Sequence, residues 1–276
     1  MKFLKIIFYI ILITLLTILT QVGGVVFILT LFIYPYIKKK LGNNFLRKII
    51  FPTVFILLYS LISFIVVPRI AKLYGRVPLP VFTNKTLKPL NIMTCILNRH
   101  YVRPALKNNI ESVAKKVSKK YPNTVVSYLD ANFPFINGFS LLPHLSHSDG
   151  KKLDIALFYK DISGKEINNN APSFMGYGVY EQPKTNEYNM PENCNRKGYW
   201  QYSILEKVVP QWNKGKMIFD QKRTRYLIQL LTEETTTSKI FIEPHLKTRM
   251  NLSSSKVRFH GCRAVRHDDH IHLQIK

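Results

Sequence analysis

Five of the eight histidines fall in two short segments, PHLSHSDGKKLDI at 143–155 and HDDHIHL at 267–273; His100, His245 and His260 stand alone. In the first segment His147 and Asp154 are separated by six residues, with Gly150 between them. SDG is a turn signal and LDIALFY reads as a strand, so the chain can bring both side chains back to one point. Imidazole and carboxylate are ordinary ligands of Zn²⁺, and a catalytic zinc takes three protein ligands plus an open position for water. Two are present here, and the third must come from elsewhere.

The second segment ends the chain as VRHDDHIHLQIK. Residues i and i+2 of a strand share a face, so His270 and His272 point one way while Ile271 and Leu273 point the other, toward a core. Two adjacent imidazoles can ligate one metal together, or one can ligate while the other serves as acid or base. Spacing alone leaves both arrangements open. His267 lies in the approach to the strand. Asp268 and Asp269 either hold a neighbouring imidazole in one tautomer or belong to a solvated turn.

Taken together, PHLSHSDGKKLD and HDDHIHL resemble the paired signature of zinc peptidases of the lysostaphin/D-Ala-D-Ala peptidase/hedgehog fold, in which an H-x6-D segment and a terminal H-x-H segment build one site. The match is closer to the penicillin-insensitive murein endopeptidase group, which has a histidine three residues before the H-x6-D, as His144 is here. That group also has an extra histidine in its terminal motif, as His267 is here. KIFIEPHLK at 239–247 is similar to the strand–helix piece preceding that motif. The resemblance covers roughly 135–160 and 238–276. It implies His147, Asp154 and His272 as zinc ligands, His270 as the catalytic imidazole, and His144 and His267 as accessory imidazoles that orient water or steady an oxyanion. The reaction implied is metal-assisted hydrolysis of an amide bond in peptidoglycan or another envelope peptide. The Glu-x-x-Trp-His pattern of the dipeptidase branch is absent, which favours the histidine-based branch. Unlike the soluble, cysteine-rich members of the group, this chain opens on an apolar anchor and has three cysteines. A non-catalytic envelope scaffold that keeps the peptidase fold is the alternative.

The elements that must position these residues are legible in part. ALKNNIESVAKKVSKKY at 105–121 repeats Leu106, Ile110, Val113 and Val117 at helical spacing with a Lys-rich outer face. TVVSYLD at 124–130, KLDIALFY at 152–159 and SKIFIEP at 238–244 read as strands, and 221–234 as a helix. Without a regular βαβ alternation the expected class is α+β, with an antiparallel sheet and flanking helices. Residues 161–200, rich in Asn, Gly, Pro and Tyr, read as a long loop. The cysteines, Cys95, Cys194 and Cys262, permit one disulfide without indicating the pair.

Ahead of this domain the composition changes. Residues 1–68 contain no Asp or Glu and carry seven Lys/Arg, and the stretches 3–37 and 49–68 are almost wholly apolar. A spanning helix needs about 20 such residues, so two spans are expected, with three as the alternative if the chain breaks at Gln21-Val22-Gly23-Gly24. The intervening loop KKKLGNNFLRK, 38–48, is short and basic and should stay cytoplasmic, which would put residues 69–276 on the extracytoplasmic side. The expected organisation is an anchor at 1–68 in the lipid bilayer, a connector and amphipathic helix at 69–120, and the zinc peptidase-like domain at 121–276. The 40 Lys/Arg of the chain, less these seven, leave 33 basic against 16 acidic side chains beyond residue 68. Such a domain suits anionic envelope polymers; no nucleic-acid motif is present, and the expected compartment disfavours nucleic acid as a partner.

Overall fold

The computed structural model describes residues 2–276. The apolar start folds as three helices: α1 (Lys2–Thr20), α2 (Gly23–Lys39) and α3 (Asn44–Leu61). The chain reverses between α1 and α2 at Gln21, whose φ is 65°. A Cβ on Gly24 would lie 2.1 Å from Thr17 Oγ1, so the glycines let α1 and α2 pack closely. Asn43 caps α3 by accepting from the Phe45 amide at 2.7 Å. From α3 the helix runs on through a π turn (Ile62–Val66) into α4 (Val67–Ala71). Two stretches, Phe3–Thr20 and Asn44–Tyr74, are long and apolar enough to cross a membrane. Large apolar side chains such as Phe8, Leu15, Phe32 and Leu57 are exposed along these helices.

Beyond α4 stand the helices α5 (Pro104–Lys120), α6 (Gln221–Glu233) and α7 (Pro244–Arg249) and a six-stranded sheet. Its strands are β1 (Leu87–Pro89), β2 (Val126–Tyr128), β3 (Lys152–Ala156), β4 (Thr237–Phe241), β5 (Val257–Arg258) and β6 (His270–Ile275), in the order β5-β4-β6-β3-β2-β1. The class is α+β. The centre is antiparallel, as expected, but the β5–β4 and β2–β1 pairs at the two edges are parallel. Parallel neighbours need a crossover; α5 lies in one of the two connections and α7 in the other.

Helix α5 buries Leu106, Ile110, Val113, Ala114 and Val117 in one core with Leu153, Ile155, Leu227, Leu231, Ile271 and Leu273. Each of these Leu, Ile and Val side chains contributes about 1.5–3 kcal/mol. Leu79, Leu87 and Cys95 join the same core, so much of the expected connector is built into the folded domain.

Residues 161–200 are more ordered than a free loop. They hold a short strand (Glu166–Ile167) and a helix (Met190–Arg196). Buried Arg223 donates to Tyr159 O at 2.7 Å and Asn168 Oδ1 at 3.0 Å, and Arg249 pairs with Glu187 through two hydrogen bonds. The disulfide joins Cys194 to Cys262 and Cys95 is a free, buried thiol.

Candidate metal centre

The register of β3 against β6 sets Asp154 directly opposite His272. Ile155, Ile271 and Leu273 fill the hydrophobic core, while Asp154, His270 and His272 are also buried, on the opposite face. His147 arrives from the irregular loop before β3. The SDG turn admits this approach because Gly150 takes φ 81°, a left-handed conformation cheap only for glycine. The His147 ring is oriented at its far side, where Nδ1 donates to Ala131 O at 2.5 Å. That leaves Nε2 with its lone pair toward the site.

Three donor atoms converge there. His272 Nδ1 lies 2.9 Å from Asp154 Oδ1, His147 Nε2 lies 3.3 Å from the same oxygen, and the two ring nitrogens are 3.1 Å apart. An ion held tetrahedrally at about 2.1 Å keeps its ligand atoms about 3.4 Å apart, so this donor set fits a small cation. His144 adds Nδ1 at 3.4 Å from Asp154 Oδ2. The buried group His144, His147 and Asp154 could likewise hold a metal ion, its ligand atoms lying within 4.8 Å of one another. His144 therefore stands closer to ligation than an accessory role requires.

His270 occupies the next position. Its Nδ1 donates to the Asp269 carboxylate, and its Nε2 is buried, without a hydrogen-bond partner, 3.7 Å from Asp154 Oδ1. Asp269 in turn accepts from the Gly178 amide at 2.6 Å. Asp268 belongs elsewhere: it is clamped by Arg266, with Nε to Oδ1 at 3.0 Å. Of the alternatives open for these aspartates, both are buried and engaged, and only Asp269 touches a site imidazole. His267 is buried, with its ring centre 5.0 Å from that of His270 and 5.6 Å from that of His272.

The charges are strongly coupled. Burial would raise Asp154, but His147, His270 and His144 outweigh it and hold the carboxyl well below its usual range. Burial drives His144 well below the ordinary imidazole value, and does the same to His267 with help from His270 and His272. His272 falls to about 4 through burial, against the pull of Asp154. In His270 burial is overcome by Asp154 and Asp269, and the imidazole rises to about 9. Neutral His144, His267 and His272 around an ionised Asp154 is the protonation state that cation ligands need.

Two site residues carried no sequence signal. Tyr177, from the segment read as a loop, donates to Asp154 Oδ2 at 2.9 Å, and its ring packs 4.7 Å from that of His144 and 5.0 Å from that of His270. His260, isolated in the sequence, has its ring centre 5.4 Å from that of His267 and 4.2 Å from that of Phe241, tilted by 30°, and is exposed at the edge of the cluster. No periodicity marks either, since both reach the site from loops. His100 and His245 stay apart, the latter bonded to Glu181 O at 2.7 Å.

A cavity of about 600 Å³ opens onto His144, Asp130 and Tyr177, with an apolar wall that includes Phe174, Leu205 and Trp212. At its polar end Arg99 pairs with Asp130 at 3.0 Å. The sequence-derived candidates His144, His147, Asp154, His267, His270 and His272 thus gather in one buried cluster beside a cavity. No protein-family model and no curated protein matches the chain.

Proposed function

We propose that this chain is a membrane-anchored zinc peptidase that hydrolyses amide bonds of peptidoglycan peptides, with a murein DD-endopeptidase-like action and the lysostaphin/D-Ala-D-Ala peptidase/hedgehog fold. The observation that carries the reading is the triangle of His147 Nε2, Asp154 Oδ1 and His272 Nδ1, with edges of 2.9–3.3 Å, beside the unpartnered Nε2 of His270. Hydrogen bonds alone also give edges of this length; what a structural histidine cluster has no need of is a buried imidazole nitrogen left bare among converging donors.

In this reading His147, Asp154 and His272 hold the ion, with His144 next to it. When bound, zinc supplies a Lewis acid and lowers the pKa of a coordinated water to about 7. His270 Nε2 takes the proton of the attacking water and returns it to the leaving amine, while Asp269 at Nδ1 fixes the tautomer and steadies the cationic ring. The high proton affinity of His270 owes much to Asp154 and Asp269, the two carboxylates that would also steady its cationic form. His144 and Tyr177, at the inner end of the cavity, are set to touch the scissile group, and His267 backs the His270 ring. The apolar helices would lie in the cytoplasmic membrane with loop 38–48 inside and the domain outside, where wall peptide is found.

The test is incubation of the purified full chain, in detergent, with murein, followed by mass analysis of released muropeptides. Release that stops with chelator and in His270→Ala is the expected result. Intact murein from folded, zinc-loaded protein would overturn the peptidase reading and leave a scaffold.

A further inference from the structure

The loop that carries His144 and His147 is fastened at its base to the apolar helices. Gln21, buried in the α1–α2 turn, accepts the Phe135 amide on Oε1 at 2.8 Å. Phe135 also packs against Val22, Val67 and Ala71, and its ring lies 5.3 Å from Tyr74. At the end of the α4 run, Arg76 is fully buried. Its guanidinium donates to the carbonyls of Phe133 and Ile136, to Ser148 O at 3.0 Å and to Asn137 Oδ1 at 2.7 Å. Arg103 continues the clamp, from Asp149 O at 3.1 Å to Tyr74 O at 3.2 Å.

These acceptors bracket the loop on both sides, and Gly138 N to Ser148 O, 3.0 Å, closes it. Between the brackets the chain has no helix or strand, and Leu142 and Leu145 are exposed. Its internal backbone bonds are three short-range contacts, Leu145 to Pro143, His147 to His144 and Ser148 to Ser146. These bonds alone do not fix two imidazoles at ligand distance; Arg99 holds the middle of the loop at Leu142 O and Ala131 O holds the His147 ring, while the two ends are held by the Gln21 and Arg76 contacts. A guanidinium buried with carbonyl partners and no ion pair among the described residues is costly to desolvate; what it secures is the position of both loop ends.

We propose that Gln21 and Arg76 are positioning residues for the metal centre, so that the His144–His147 loop reaches ligand geometry only while the α1–α2 turn and the segment after α4 grip its two ends. This rests on the reading of the cluster as a metal centre.

The test uses the full chain in lipid nanodiscs, with Zn²⁺ affinity measured against a fluorescent chelator and amide hydrogen exchange read over residues 133–148. Arg76→Ala should weaken Zn²⁺ binding by about tenfold or more, the range found when groups that orient ligands are removed. Arg76→Lys should fall between, since one ammonium cannot reach all four acceptors, and Gln21→Ala should weaken binding severalfold. Exchange should rise in 133–148 and stay unchanged in β3 and β6. Exposed Lys72→Ala, on the same helix end, should behave as wild type. A merely structural role would lower the melting temperature and leave the affinity of the folded fraction alone. Folded Arg76→Ala and Gln21→Ala proteins with wild-type affinity and exchange would overturn the proposal; if Arg76→Ala does not fold, Gln21→Ala decides. Should the wild type itself bind no Zn²⁺, the metal reading fails, while faster or unchanged exchange still settles whether the helices hold the loop.

Discussion

Asp154 and His272 face each other across the β3–β6 pair, with Oδ1 and Nδ1 2.9 Å apart. This is a cross-strand contact between residues far apart in sequence, and both strands bury core residues on their other face. The spacing of these two side chains is therefore tied to the register of the sheet centre.

Replacing the carboxylate while keeping its shape tests that tie. Asp154→Asn should fold and weaken Zn²⁺ binding by more than about a hundredfold, and His272→Ala should do the same. Metal content after dialysis of the purified chain is the measurement. One zinc per chain in either variant would remove these residues from the ligand set.

His270 should separate chemistry from binding. His270→Ala should keep zinc within a fewfold of wild type and lower kcat on a muropeptide by about 10²–10⁴, the usual contribution of a general acid–base. Equal loss of metal and activity would make His270 a ligand instead.

On the peptidase proposal, His260, on the exposed edge of the cluster, would meet substrate without holding the ion. His260→Ala should raise KM severalfold with kcat little changed. A fall in kcat alone would contradict that assignment.

The disulfide closes a loop with a sequence separation of 68, and such closure stabilises by about 4 kcal/mol through the unfolded chain. Cys194→Ser with Cys262→Ser should lower the denaturation midpoint accordingly. The single variant Cys95→Ser, at a buried thiol outside the bridge, should leave the bridge intact on a non-reducing gel.

Glu187 gives a pH signature remote from the metal. Its hydrogen bonds with Arg249 pull the carboxyl from 4.5 to about 2. A carboxyl depressed in the folded state adds stability above its unfolded pKa, and that stability drains away as pH falls through the folded value, here between about 4.5 and 2. Solvent screening keeps the contribution well below the ~3 kcal/mol of the full shift. Wild type and Glu187→Gln should differ most at neutral pH and converge by pH 2 in thermal melts; a constant difference would refute the linkage.

Much of this was legible before any coordinates. Alternation in HIHLQI assigns His270 and His272 to one face, because a strand has a period of two. The 3.6-residue spacing of Leu106, Ile110, Val113 and Val117 locates α5 within a residue at each end. The apolar runs mark the helical anchor, while the break at Gln21–Gly24, which divides the first run into α1 and α2, was legible only as the alternative to a single long span. Each of these is a local property, carried by neighbours along the chain. The rest was decided only in three dimensions. His260 and Tyr177 enter the site from loops without periodicity. The pairing of Cys194 with Cys262, the parallel edges of the sheet and the grip of Arg76 on the histidine loop all join segments distant in sequence. Such contacts depend on how crossovers and registers pack a shared core, and no single segment encodes them.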